Sequence, residues 1–251
     1  MPKLIPTRLV AVCALALTCC VLGVASASAA SGVPTSLRVV GSGGKVLADT
    51  NLRAGSTAIR TSRRANCFGP GNRGSGKKVV VRGPTPLGLL ARAATFVKAL
   101  NPLLVTDAFD FGLGLCGIGG QVPPPTGFWY LKVNHKNPQV GGDGIKLRRG
   151  DDVLWYLLPD FEVSPEELWL RAPRRVKSGV PFVVRVFSYA DDGKRTPEVG
   201  ARVRGAKRPT GPGGRTRVVL RRPLRLIARH GAKIPSNRVA VCVQGRCPRG
   251  R

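Results

Sequence analysis

Acidic side chains are scarce in this sequence: 13 Asp and Glu stand against 41 Lys and Arg, and the formal net charge is +28. A hard-cation loop needs several oxygens at close spacing. Asp107 and Asp110, the paired carboxylates ahead of a glycine-rich stretch, are too sparse for one and are expected in turns. Histidine is scarcer still, with only His135 and His230. A hydrolase would need a nucleophile beside a base, two carboxylates held apart, or a metal cage. Ser188, Asp191 and His230 can be drawn as a triad, but Asp191-Asp192-Gly193 reads as a hairpin turn and His230 precedes Gly231 at a strand end. No enzyme is expected. No metal is expected either, because Cys242 and Cys247 lack the short spacing of zinc ligands. The glycines from Gly112 to Gly120 are followed by no Lys-Ser or Lys-Thr, which removes a phosphate loop.

Long apolar runs are missing beyond the N-terminus. Lys3 and Arg8 precede the apolar stretch Leu9 to Val24, and small residues follow from Ala25 to Ala30. Residues 1–30 therefore read as a secretory signal, cleaved after Ala27, Ala29 or Ala30. The apolar stretch is shorter than the roughly 18 residues that indicate a membrane span. The mature chain is expected outside the cell or at its surface, with no membrane span.

Cysteine usage agrees with export. Cys13, Cys19 and Cys20 leave with the signal, and Cys67, Cys116, Cys242 and Cys247 remain. An even number in an exported chain points to disulfides, and four cysteines allow three pairings. The sequence-local choice is Cys67 with Cys116 and Cys242 with Cys247.

The positive charge draws polyanions with steep salt dependence. An exported protein meets little nucleic acid, so no specific nucleic-acid partner is expected, and cell-wall polymers are the anionic partner in view. Arginine outnumbers lysine among abundant Ala, Gly, Val and Pro, which also fits a GC-rich coding composition.

The aromatic residues gather between Phe128 and Leu158. On a strand, Phe128, Tyr130 and Lys132 point one way and Trp129, Leu131 and Val133 the other. A polar, glycine-containing bend runs from Asn134 to Asp143, and Val153 to Leu158 reads as a buried strand. Ahead of this lie two short β-prone runs, Ser36 to Val40 and Lys45 to Asn51, joined as a hairpin. An arginine-rich loop, Arg53 to Lys78, comes next, and Val79 to Arg82 reads as a brief strand. Thr85 and Pro86 open a helix whose apolar residues recur to Leu100, where Pro102 stops it. Gly112 to Gly120 is expected as a flexible segment.

Residues 159–167 read as a linker. Six short strands follow from Leu168 to Val243 at even intervals without helical period, the mark of a β-sandwich. Residues 244–251 form a basic tail. The fold expected is mainly β: an α+β half with one helix over 36–158, then an all-β sandwich over 168–243.

The first half resembles a domain of unknown function that is similar to the C-terminal domain of transcobalamin, with a β-grasp-like fold. The residues that carry the resemblance are Trp129, Tyr130, Val133, Asn134, Gly150, Asp151 and Trp155, with His135 standing where the family has glycine. The resemblance implies a binding domain, with cobalamin as the small molecule of distant relatives. No other cofactor is expected. The second half resembles bacterial immunoglobulin-like repeats through Gly179, the strand Phe182 to Tyr189, and Gly200-Ala201-Arg202-Val203. Such domains act as spacers or surface contacts. The ligand-contact candidates are Phe128, Trp129, Tyr130, Asn134, Asp151 and Trp155, set against the alternative that the rings are core and that Asn134 and Asp151 form turns.

Overall fold

The computed structural model describes residues 32–249. The segment 1–30 assigned to export lies outside the described residues. Among the described residues the fold is mainly β with a single α-helix, as expected.

The first half contains β1 (Val33–Gly41), β2 (Lys45–Ala54), β3 (Thr57–Arg60), β4 (Lys78–Val81), α1 (Pro86–Ala94), β5 (Leu103–Phe109), β6 (Gly112–Ile118), β7 (Phe128–Val133) and β8 (Asp152–Leu158). Four of these strands form one mixed sheet in the order β2-β1-β8-β7. The central pair β1 and β8 is parallel, and both outer pairs are antiparallel. A parallel pair needs a crossover, and here the connection carries α1 over one face.

Alternation along the strands divides the side chains cleanly. Leu37, Val39, Trp129, Leu131, Val153 and Trp155 pack with the apolar side of α1. The opposite face presents Val40, Leu154, Tyr156 and Leu158, packed with Ile234 of the second half. The sheet is buried on both faces, which explains why 153–158 is apolar throughout rather than alternating.

Helix α1 starts where the sequence places it. The Thr85 hydroxyl accepts from the Gly88 amide at 3.1 Å, with Pro86 in the first turn. It ends at Ala94, before the expected Leu100, because the Asn101 side-chain amide donates to the Ala94 carbonyl and Val97 is extended. A 3-10 turn, Lys98–Leu100, then buries Leu100 in the same core.

The stretch Gly112 to Gly120 is not the flexible segment expected. Gly112–Ile118 is strand β6, antiparallel to β5. A Cβ at Gly114 would lie 2.6 Å from Phe109 and 2.8 Å from Thr106, so glycine there admits the side chains of the neighbouring strand.

The second half holds β9 (Glu167–Arg171), β10 (Arg175–Val176), β11 (Pro181–Tyr189), β12 (Arg195–Pro197), β13 (Arg202–Val203), β14 (Arg215–Val219), β15 (Leu224–Leu226), β16 (Ala228–Arg229) and β17 (Val239–Val243). One sheet is β12-β11-β14 with β9 on the other edge of β11, and a second is β10-β17-β15. Leu168, Leu170, Val184, Val186 and Val218 of the first meet Leu226, Val241 and Val243 of the second in one core. Both disulfides join the sequence-local pairs, Cys67 with Cys116 and Cys242 with Cys247. Among the described residues, no helix is long and apolar enough to cross a membrane.

Candidate functional site

Strand β7 is an edge of its sheet, and the hairpin of β5 and β6 stands beside it. Between them and the 137–142 loop lies an open cleft of about 780 Å³. Phe128, Trp129, Tyr130 and Trp155, four of the candidates from sequence, all line it, together with Phe68, Phe109 and Phe111. A smaller pocket of about 410 Å³ adjoins it at Cys67, Phe68, Leu115 and Phe128, walled by Pro123 to Pro125.

The two tryptophans form the floor rather than the rim. Both are 4% exposed and belong to the core of the first half. Neither indole N–H finds a hydrogen-bond partner among the described residues. A Cβ at Gly142 would lie 2.7 Å from the Trp155 ring, so this glycine lets the loop close down on the floor.

The rings of the rim, Phe68, Phe109, Phe111, Phe128 and Tyr130, belong to a touching row that runs on past the cleft through Phe161 and into the buried Tyr156. Phe111, Phe109, Phe68, Phe161, Phe128, Tyr130 and Tyr156 follow one another with centroid separations between 4.9 and 6.4 Å. Phe68, Phe111 and Phe161 are 58%, 82% and 53% exposed. An exposed apolar run of that extent marks a contact site more often than bare surface. Neither the cleft nor the pocket is lined by a charged side chain, in a chain with 41 Lys and Arg.

Asn134 and Asp151 do not line the cleft. Asn134 Nδ2 donates to Asp151 Oδ1 at 2.9 Å, and Asn134 Oδ1 accepts from the Asp152 amide at 3.0 Å. They clamp the end of β7 to the start of β8, the turn-forming alternative. The ring row also contains residues the sequence did not point to. Phe68 sits beside a disulfide cysteine in the arginine-rich loop, and Phe161 lies in the segment read as linker.

A second cluster is buried where the two halves meet. Arg38 of β1 and Lys132 of β7 are 1% and 0% exposed. Arg38 Nη2 pairs with Glu167 Oε1, and Nη1 donates to the carbonyls of Pro235 at 2.8 Å and Leu168 at 3.2 Å. Lys132 Nζ lies 2.7 Å from Asp191 Oδ1, while the Tyr130 hydroxyl donates to Asp191 Oδ2 at 2.8 Å. Glu167, placed at the end of the linker by sequence, opens β9 and is fully buried.

His135 follows Asn134 in the bend after β7. Its φ is +69°, left-handed backbone that glycine adopts without strain. The ring is held by other means: it stacks on Tyr189 at 3.8 Å, and Nδ1 lies 3.0 Å from Glu167 Oε2. His135, Asp152 and Glu167 bring ligand-type atoms within 4.8 Å of one another. Arg38 already supplies the cation that Glu167 needs.

The two buried carboxyls are tuned in opposite directions. Burial pushes Glu167 up, but the Arg38 and His135 side chains outweigh it and hold the carboxyl below its usual range. Burial raises Asp152, and neither Arg38 nor the 2.6 Å bond donated by the Ser36 hydroxyl fully offsets it. Glu167 therefore adds stability above about pH 4.5 that is lost as the pH falls through its folded value. Asp152 costs stability once the pH rises through its raised value. Asp152→Asn should raise the urea midpoint at pH 7 and leave it unchanged near pH 3, whereas Glu167→Gln should lower it at pH 7 by an amount that shrinks as the pH falls below about 4.5. Equal shifts at the two pH values would contradict this assignment.

The drawn triad is not assembled. The Ser188 hydroxyl donates to Glu166 at 2.5 Å, His230 pairs with Glu198, and Asp191 with Lys132. Lys233 lies 3.3 Å from Ser188, but its bonds to Glu166 and Glu198 outweigh burial and raise its pKa, so it stays an ammonium. No protein-family model matches the chain, and no curated protein matches it.

Proposed function

We propose that this is an exported, non-enzymatic binding protein that holds an uncharged, largely apolar ligand in the cleft beside β7. The observation that carries the reading is the set of rings Phe68, Phe109, Phe111, Phe128 and Tyr130, exposed at Phe68 and Phe111, along a cleft whose lining has no charged residue. Apolar pockets with a few convergent polar groups are the usual form of small-ligand sites. Here Asn137, Gln139 and the unpaired edge of β7 provide the polar groups. The resemblance to transcobalamin-like binding domains supports the same reading, as do the signal-like N-terminus and the two disulfides. The second half serves as the platform that covers the far face of the sheet.

Nile red, a neutral apolar dye, is a suitable probe. The double variant Phe68→Ala/Phe111→Ala should weaken its binding by about tenfold, equivalent to about 1.4 kcal/mol of lost contact. Phe96→Ala, which removes an equally exposed ring away from the cleft, should leave it unchanged. Equal losses in the two variants would reduce the row to incidental surface.

A further inference from the structure

Strand register sets three arginines side by side on the outer face of the second half. Arg185 of β11 stands directly opposite Arg215 of β14 on one side and Arg171 of β9 on the other. All three are exposed, while Val184 and Val186 on either side of Arg185 turn into the core. Adjacent strands lie about 4.8 Å apart, so the charges are drawn up across the sheet at roughly that interval. Arg217, two residues further along β14, lengthens the strip and is exposed too.

Like charges directly opposite one another destabilise a sheet, and no carboxylate relieves these. From 168 to 243 the only acidic residues are Asp191, Asp192 and Glu198. Asp191 is taken by Lys132 and Tyr130, Glu198 by Lys233 and His230, and Asp192 accepts from the Lys194 amide. Among the described residues, no ion pair includes Arg171, Arg185 or Arg215. Phe187 lies beside the row, with the guanidinium groups of Arg171 and Arg195 over its ring at 5.5 and 4.7 Å. Stacking of this kind restricts a guanidinium plane, so less freedom is lost when it grips a ligand.

We propose that this arginine row binds a linear polyanion whose charges are tetrahedral oxyanions, phosphate or sulfate, repeated along the chain. Charge complementarity selects a polyanion. The tetrahedral centre is selected by the facing arrangement: the free oxygens of a phosphate or sulfate group point in divergent directions and can bridge neighbouring guanidinium forks, whereas a single bidentate fork uses up both coplanar oxygens of a carboxylate. The face is separate from the aromatic cleft and does not depend on what the cleft holds.

The test compares two variants of the full chain that lose the same charge. Arg171→Gln/Arg185→Gln/Arg215→Gln removes the row. Arg64→Gln/Arg73→Gln/Lys98→Gln removes three exposed cations of the first half. Binding of labelled inorganic polyphosphate at about 0.15 M salt should fall at least tenfold in the first and less than about threefold in the second, with a shallower salt dependence in the first alone. Because repulsion is relieved, the first variant should also melt about 2–4 °C higher, which shows that it is folded. Heparin and polyglutamate complete the comparison: preference between polyphosphate and heparin identifies the oxyanion, and both results support the proposal. Equal losses in the two variants would overturn the located face, and tighter binding of polyglutamate than of either other polymer would overturn the tetrahedral assignment.

Discussion

Arg38→Ala should destabilise the protein by about 3–5 kcal/mol, the cost of leaving a buried charge without its partner. Glu167 is fully buried, and Arg38 is its principal cation. The same substitution strips donors from the carbonyls of Leu168 and Pro235, so both halves lose contacts together. Replacing both members of the pair by apolar residues of similar volume removes the uncompensated charge, and such exchanges are often neutral. Arg38→Met/Glu167→Leu should therefore unfold at a higher urea concentration than Arg38→Ala alone, although the two carbonyls remain without their donor. A double-mutant cycle on urea midpoints reads the coupling directly. Additive losses from the single substitutions would show that the two groups do not act as a pair.

The second large effect belongs to the Cys67–Cys116 disulfide. It closes a loop of 49 residues, for which the chain-entropy model gives about 4 kcal/mol, against about 2 kcal/mol for the short Cys242–Cys247 link. The stretch read as an arginine-rich loop, 53–78, contains strand β3 and is bonded to β5 through the Ser62 amide on the Val105 carbonyl at 2.7 Å. Between β3 and β4 its regular structure is one 3-10 turn, Pro70–Asn72, and Cys67 shares a small core with Ala65, Leu104 and Cys116. Asp107, its carboxyl lowered by bonds from Ser75, ties down the far side of the loop. Cys67→Ala/Cys116→Ala should lose more stability than Cys242→Ala/Cys247→Ala and also weaken Nile red binding, because Phe68 is the next residue and the middle of the ring row. Loss of stability with full dye affinity would separate the loop from the cleft.

The fold was legible wherever local pattern decides the outcome. Alternation predicted the two faces of β7, the Thr85-Pro86 pair placed the start of α1, and short runs with turn residues placed the strands of the second half except β10 and β12, with the run from Leu224 to Arg229 divided into β15 and β16. Reading failed where distant residues decide. The glycines of β6 look like slack in sequence, yet they make room for Phe109 and Leu104 from the paired strand. Asn101 ends α1 from seven residues beyond Ala94.

The candidate site divides the same way. Phe128, Trp129, Tyr130 and Trp155 come from one sheet and were visible as an aromatic cluster, whereas Phe68, Phe109, Phe111 and Phe161 meet them only through the disulfide and the chain reversal after β8. The buried pairs left a fainter trace. Lys132 interrupts an otherwise apolar strand and Arg38 stands between Leu37 and Val39, and an isolated charge in such a setting needs a partner supplied from elsewhere.

The sheet that backs α1 carries these two cations on its far face, amid Val40, Leu154 and Tyr156. Grafted onto a different C-terminal neighbour, residues 36–158 would bring along two cations awaiting specific acids and an oily surface awaiting a specific cover. The two halves are therefore expected to melt as one cooperative unit despite their two architectures.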